Sequence, residues 1–90
     1  MAGNYTKTEA GSFCANQELE VTSVVDCEAA AVELGNVFAG AWNGAGDFPG
    51  CFFANNVYFN LSPNPRRERA RAGYAAICYS ENRRKLRFLI

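Results

Sequence analysis

Four cysteines constrain the fold of this 90-residue chain more than any other sequence feature. They lie at positions 14, 27, 51 and 78, and no two of them form a Cys-x-x-Cys pair. Zinc ribbons and thiol redox motifs require such close pairs, so the spacing predicts disulfides instead. A domain of this length buries only roughly 60–65% of its unfolded surface, and covalent cross-links commonly compensate for such a small core.

A short helix that contains the second cysteine is predicted between Ser23 and Gly35. Ser23 and Asp26 fit the capping pattern in which a hydroxyl residue precedes a carboxylate by three positions. Gly35 follows the last predicted helical residue, where helices commonly end with a residue in the left-handed conformation. Glycine adopts that conformation with the least steric strain. The apolar residues between them recur at helical spacing and predict one buried stripe: Val24, Cys27, Ala30, Ala31 and Leu34.

A β-hairpin is predicted over residues 51–60. Residues 51–54 and 57–60 are rich in aromatic and β-branched side chains, and Asn55-Asn56 separates them. Asparagine tolerates the positive φ angles of a type I′ turn. A two-residue turn of this type is expected to place Phe53 with Tyr58 on one face of the hairpin and Phe52 with Phe59 on the other.

The remaining segments are predicted from their composition. Residues 1–12 are expected to form a flexible entry or a short edge strand. Residues 18–22 alternate acidic and apolar side chains, as a half-buried strand does. Residues 36–50 are glycine-rich and are expected to connect helix and hairpin without regular structure. Residues 13–79 then form the folded module, and residues 80–90 form a basic and apolar tail.

These elements predict a small α+β fold in which one helix packs across a disulfide-stabilised, mainly antiparallel sheet. Four cysteines allow three pairings. We favour Cys27–Cys51, which joins helix to hairpin, and Cys14–Cys78, which joins the first and last strands. Disulfides predict a secreted, extracellular or other oxidising compartment. The acceptor sequences at Asn4 and Asn60 agree with that compartment, although Asn60 also fits a plain strand end.

Composition argues against catalysis and against several kinds of partner. The chain has no histidine, which is the commonest general base and transition-metal ligand. Glu18 and Glu20 are expected to share a strand face, but they are interpreted as solvated side chains and not as a catalytic pair. We therefore expect no enzyme activity, cofactor or metal. A net charge of zero argues against nucleic-acid binding, and no apolar run reaches the length of a transmembrane segment.

The order of these motifs resembles a known type of module. Cys14, Cys27-Glu28-Ala29-Ala30, Pro49-Gly50-Cys51-Phe52 and Ile77-Cys78 are similar to a short cysteine-rich module of extracellular and surface proteins of marine algae and other protists. The order of strand, cysteine-bearing helix and cysteine-bearing hairpin also resembles PAN/apple modules, which usually carry further cysteines. The resemblance implies a binding or adhesion module for protein or carbohydrate, and it brings no catalytic residues.

Three segments carry candidate binding residues. In the glycine-rich connection, Trp42, Asn43, Asp47 and Phe48 could form a shallow site; the alternative is that the two aromatic residues fill the core. Arginine side chains could bind sulfated glycans or an acidic protein surface, or simply be solvated; these are Arg66, Arg67, Arg69 and Arg71. The tail could dock on a partner or on an anionic membrane surface; the alternatives are a disordered tail or a strand that continues into a longer protein. Its candidate residues are Arg83, Arg84, Lys85, Arg87 and Phe88.

Two functions are consistent with this pattern. The first is non-catalytic binding or adhesion, with the glycine-rich connection and the arginine segment as the recognition surface. The second is that of a small accessory subunit, held through its tail in a larger and membrane-associated assembly. The chain could also be one part of a longer protein.

Overall fold

The structure, a computed structural model, describes residues 3–42, 48–62 and 73–80. The described residues form one α-helix, a 3₁₀ turn and five strands. In chain order these are β1 (Tyr5–Lys7), the 3₁₀ turn (Gln17–Leu19), α1 (Val24–Glu33), β2 (Phe38–Trp42), β3 (Gly50–Ala54), β4 (Asn56–Asn60) and β5 (Ala75–Tyr79). The strands form a single sheet in the order β1-β5-β3-β4-β2, antiparallel except that β2 runs parallel to β4. The predicted α+β class is confirmed.

Helix α1 begins and ends as its sequence predicts. The Ser23 side chain accepts a hydrogen bond from the backbone N–H of Asp26 at 3.4 Å, which satisfies one of the unpaired donors at the first turn. Gly35 follows the helix with φ of 72°. The small buried side chains on its inner face, Cys27, Ala30 and Ala31, let the helix lie close to the sheet.

Both predicted disulfides are present, one on each face of the sheet. Cys27 on α1 is bonded to Cys51 on β3, and Cys14 is bonded to Cys78 on β5. Together they contain all four cysteines. Cys14 lies in an irregular segment, so the second bridge joins a loop to the last strand and does not join two strands.

The hairpin lies where it was predicted, but its register is different. Phe52 lies opposite Tyr58, and Phe53 lies opposite Val57. The predicted pairs of Phe53 with Tyr58 and Phe52 with Phe59 are therefore wrong by one residue. The reason lies in the turn: only Asn55 has positive φ there, at 68°, whereas a type I′ turn requires two such residues. A one-residue change at the turn reassigns the cross-strand partners along the whole hairpin.

Two further segments differ from their predicted structure. The glycine-rich connection was expected to be irregular, yet residues 38–42 form β2 beside β4, with a bulge between Phe38 and Gly40. A free strand edge supplies hydrogen-bond partners that the sequence alone does not show. Residues 17–19 form a 3₁₀ turn in place of the predicted strand, and Glu20 makes an isolated bridge to Cys78.

The alternation of residues across the strands gives the sheet two different faces. The helix face carries α1 and the side chains of Cys51, Val57 and Phe59. The opposite face, which we call the aromatic face, carries Phe52 and Tyr58 and is covered by residues 8–21 and by Phe48. The core therefore lies on both sides of one sheet.

Candidate functional site

The Asn60 side chain hydrogen-bonds two residues that border segments with predicted binding residues. It is the last residue of β4 and lies opposite Trp42 on β2 and Gly50 on β3. Its side-chain amide donates to the carbonyl of Phe48 at 2.8 Å, and its side-chain oxygen accepts from the N–H of Ser62 at 3.0 Å. Phe48, near the end of the glycine-rich connection, and Ser62, four residues before the arginine segment (residues 66–71), are thus fixed to one side chain.

The burial of Asn60 decides between its two predicted roles. Only 4% of its surface is exposed, and both ends of its amide are hydrogen-bonded within the protein. A buried amide with satisfied donors and acceptors is stable where it lies, but it cannot carry a glycan in the folded state. Asn60 is therefore a structural strand end.

Phe48 lies in the core and was one of the four candidate residues of the glycine-rich connection. Its side chain is 1% exposed, and its ring centroid lies 5.0 Å from that of Phe13 and 6.2 Å from that of Phe52. These distances fall within the range of favourable aromatic pairs. The ring thus fills the core, as the alternative interpretation expected, while its carbonyl is held by Asn60.

Two tyrosines that the sequence did not single out pack against Phe52, and one of them, Tyr74, also lies beside Phe48. Tyr74 and Tyr58 each stack with the Phe52 ring, with interplanar angles of 15° and 24°. Both are half-buried, whereas Phe52 is fully buried. They combine an accessible ring surface with a polar hydroxyl, as binding sites for sugars and peptides do. Only the correct hairpin register places them on one face, so the sequence carried no separate signal for them.

Of the other candidate residues, the structure describes only the backbone of Trp42. The backbone of Trp42 ends β2 opposite Asn60. Asn43 and Asp47 lie outside the described residues, as do the arginines at 66, 67, 69 and 71 and the tail residues Arg83, Arg84, Lys85, Arg87 and Phe88. Their predicted binding roles stay predictions.

The two glutamates considered as an acidic pair do not share a face. Glu18 is exposed within the 3₁₀ turn, whereas Glu20 is 8% exposed and lies beside β5. The 3₁₀ turn breaks the strand alternation on which that expectation depended. Within residues 3–42, 48–62 and 73–80, no cluster of three metal-ligating side chains occurs.

Gly50 allows the backbone at Val21 to lie directly against β3, next to the site. The N–H of Cys51 donates to the carbonyl of Val21 at 3.1 Å. Gly50 has φ of 67°, and a Cβ atom there would overlap the Val21 carbonyl oxygen. Only glycine allows this close approach of two backbones at a positive φ.

Comparison with known proteins identifies no relative. Scans against protein-family models, curated proteins and solved structures found no match to this chain.

Proposed function

We propose that this protein is a non-catalytic binding module that recognises an acidic glycan, such as a sulfated polysaccharide, through the arginine segment and the neighbouring tyrosines. The observation that supports the proposal is the side chain of Asn60, which holds Phe48 and Ser62 to the same end of the sheet. Phe48 ends the stretch with the candidates Trp42, Asn43 and Asp47, and Ser62 lies four residues before Arg66. Guanidinium groups match sulfate and carboxylate groups with paired hydrogen bonds.

The two tyrosines that stack with Phe52 support the proposal that the ligand is a carbohydrate. Tyr58 and Tyr74 are half-buried and both stack with Phe52. The Tyr74 ring also lies 6.4 Å from the ring of Phe48, whose carbonyl accepts from Asn60. Aromatic rings contact the apolar face of a sugar ring, while hydroxyl groups donate to its oxygens. A rigid sheet beneath them keeps the ordering cost of binding low.

The two disulfides agree with a function outside reducing compartments. Disulfides form and persist in oxidising environments. We propose that the module is extracellular or lies within another oxidising lumen. Among the helices that the structure describes, none is long and apolar enough to cross a bilayer.

Binding to an immobilised sulfated polysaccharide tests the proposal. We expect the intact chain to bind and to elute with salt, because exposed ion pairs are screened. Replacing all four arginines at 66, 67, 69 and 71 by Gln should raise the Kd by at least about tenfold, or about 1.4 kcal/mol. The matched control replaces Arg83, Arg84, Lys85 and Arg87 by Gln, which removes the same charge.

The control variant distinguishes binding at the arginine segment from attraction by the overall positive charge of the chain. Equal loss of affinity in the two fourfold variants would show that total charge, and not the arginine segment, binds the polymer. Failure of the intact chain to bind any sulfated or carboxylated glycan would overturn the proposal. Elution of natural material only within a larger assembly would favour the accessory-subunit function instead.

A further inference from the structure

The outer face of α1 is apolar and has no partner among the described elements. Val25 and Val32 are 70% and 81% exposed, and the exposed Ala29 lies between them. The spacing of 25, 29 and 32 places the three side chains along one side of the helix, opposite the buried Cys27 and Ala30. We call these three residues the α1 stripe.

Acidic residues flank the α1 stripe on both sides. Glu28 is exposed and lies one helical turn from Val25 and Val32. Glu33 ends the helix on the other flank. The described residues as a whole hold six acidic side chains and only one basic side chain, Lys7, giving a net charge of −5. An occupant of the stripe should therefore be both apolar and basic.

The end of β5 brings such a segment to the edge of the stripe. The Ser80 N–H donates to the Asn4 carbonyl at 2.9 Å, and the Ser80 hydroxyl donates to the Gly3 carbonyl at 2.8 Å. The N–H of Asn4 in turn donates to the Glu33 carboxylate at 3.1 Å. The chain after Ser80 thus starts two hydrogen bonds away from the last turn of α1.

The tail has the length and the chemistry that the stripe requires. Residues 81–90 could extend roughly 33 Å, whereas the ten residues of α1 span about 15 Å. In an extended conformation Leu86, Phe88 and Ile90 would lie on one side, with Lys85 and Arg87 on the other. A short tether also gives the tail a millimolar effective concentration at its own helix, well above that of a second molecule in dilute solution.

We propose that residues 83–90 dock on the α1 stripe of the same chain, with the apolar side chains of the tail on Val25, Ala29 and Val32 and its basic groups beside Glu28 and Glu33. Docking would cover the largest exposed apolar side chains of α1 and neutralise part of the charge of the folded body. The inference does not depend on the proposed glycan function, because it concerns the opposite face of the sheet.

Trypsin cleavage tests the docking directly, since the tail contains four trypsin sites and docking should protect them. Cleavage of a tethered segment tracks the population of its free form. We expect the double variant Val25→Ser/Val32→Ser to be cleaved within residues 83–87 about tenfold faster than the unmodified chain, equivalent to about 1.4 kcal/mol of lost docking. The matched control, Val37→Ser/Leu61→Ser, removes two other exposed apolar side chains and should leave the rate unchanged.

A second measurement keeps the test decisive if the helix variant loses stability. Leu86→Ser/Phe88→Ser changes only the tail, and the methyl resonances of Val25 and Val32 should then shift while those of Val57 in the core do not. Equal tail cleavage in the unmodified chain and the stripe variant, together with unmoved valine resonances, would overturn the proposal. Protection that increases with protein concentration would also overturn it, because the occupant would then be the tail of a second copy.

Discussion

The two faces of the sheet are covered in different ways, although each has one disulfide. On the helix face, α1 forms its own hydrogen bonds and adds the Cys27–Cys51 bridge to an already regular layer. On the aromatic face, residues 8–21 form little regular structure and are held by Cys14–Cys78 and by packing around Phe48. An irregular cover gains less from backbone hydrogen bonding, so it depends more on its cross-link and its large side chains.

The same contrast appears in the polar contacts. The helix face is tied to β1 and β5 by side chains of α1: Glu33 accepts from the N–H groups of Asn4 and Tyr5, and Asp26 accepts from the Tyr79 hydroxyl. On the aromatic face, the N–H of Cys51 donates to the Val21 carbonyl, and the side chain of Asn60 on β4 donates to the carbonyl of Phe48. Side-chain substitutions should therefore loosen the two faces by different routes.

Removing each disulfide separately should have the largest effects and should distinguish the faces. The bridges span 64 and 24 residues for Cys14–Cys78 and Cys27–Cys51, so loop entropy predicts losses of about 4 and about 3.5 kcal/mol. We expect Cys14→Ala/Cys78→Ala to lower the free energy of unfolding more than Cys27→Ala/Cys51→Ala, measured by urea denaturation.

Amide hydrogen exchange shows whether this difference in unfolding free energy arises because α1 covers one face of the sheet and the irregular residues 8–21 cover the other. In Cys14→Ala/Cys78→Ala, the protection of amide hydrogens should fall over residues 8–21, while the amides of α1 stay protected. In the second variant, α1 should keep most of its helical signal because its caps remain. Equal and global loss of protection in both variants would show that the sheet and its covers unfold as one unit.

Truncating Phe48 tests whether packing supports the irregular cover. Phe48→Ala removes a fully buried ring that contacts Phe13 and Phe52, and should cost about 3 kcal/mol in unfolding free energy. Val37→Ala, at an exposed position outside the core, is the matched control and should change stability by less than about 0.5 kcal/mol. A cost below about 1 kcal/mol for Phe48→Ala would show that the aromatic face tolerates a cavity.

Adding one methyl group at Gly50 tests the backbone contact on the aromatic face. Gly50→Ala combines a positive φ with overlap on the Val21 carbonyl, and we expect a loss of about 2 kcal/mol or more in thermal unfolding experiments. Gly11→Ala is the control, because its φ is also positive but a Cβ there meets no atom within 4 Å. If the two variants lose the same stability, strain at φ accounts for the whole effect.

Removing one hydroxyl group on the helix face should have the smallest effect. Tyr79→Phe deletes the donor to Asp26, which is only half-buried, and should cost about 1 kcal/mol. Denaturant unfolding of Asp26→Asn, alone and combined with Tyr79→Phe, measures the coupling between the two residues. A double-variant loss equal to the sum of the single losses would mean that the hydrogen bond adds no stability of its own.

The sequence predicted the elements whose signals are local. The Ser23 cap and Gly35 determined where α1 begins and ends, because both act on the backbone within one turn. The aromatic and β-branched runs located the hairpin strands. The predicted cysteine pairing was also confirmed. It could be predicted because a bridge between helix and hairpin leaves Cys78 as the only partner for Cys14.

The sequence did not predict features that depend on a distant neighbour. Strand β2 forms because β4 offers a free edge, although glycine and alanine have little strand propensity of their own. The hairpin register and the place of Tyr58 depend on a single left-handed residue, Asn55. The candidate site shows the same limit, since Asn60 was predicted at a strand end but not as the contact between Phe48 and Ser62.

The sequence by itself determined the cross-linking chemistry, the capped helix, the approximate place of the hairpin and the absence of histidine. Each of these follows from residue identity or from contacts within a few positions. Only the tertiary structure decided which strands are neighbours, which face carries the aromatic rings and which two segments meet at Asn60. These features depend on side chains and backbone groups far apart in the chain, which come together only when the whole sheet has formed.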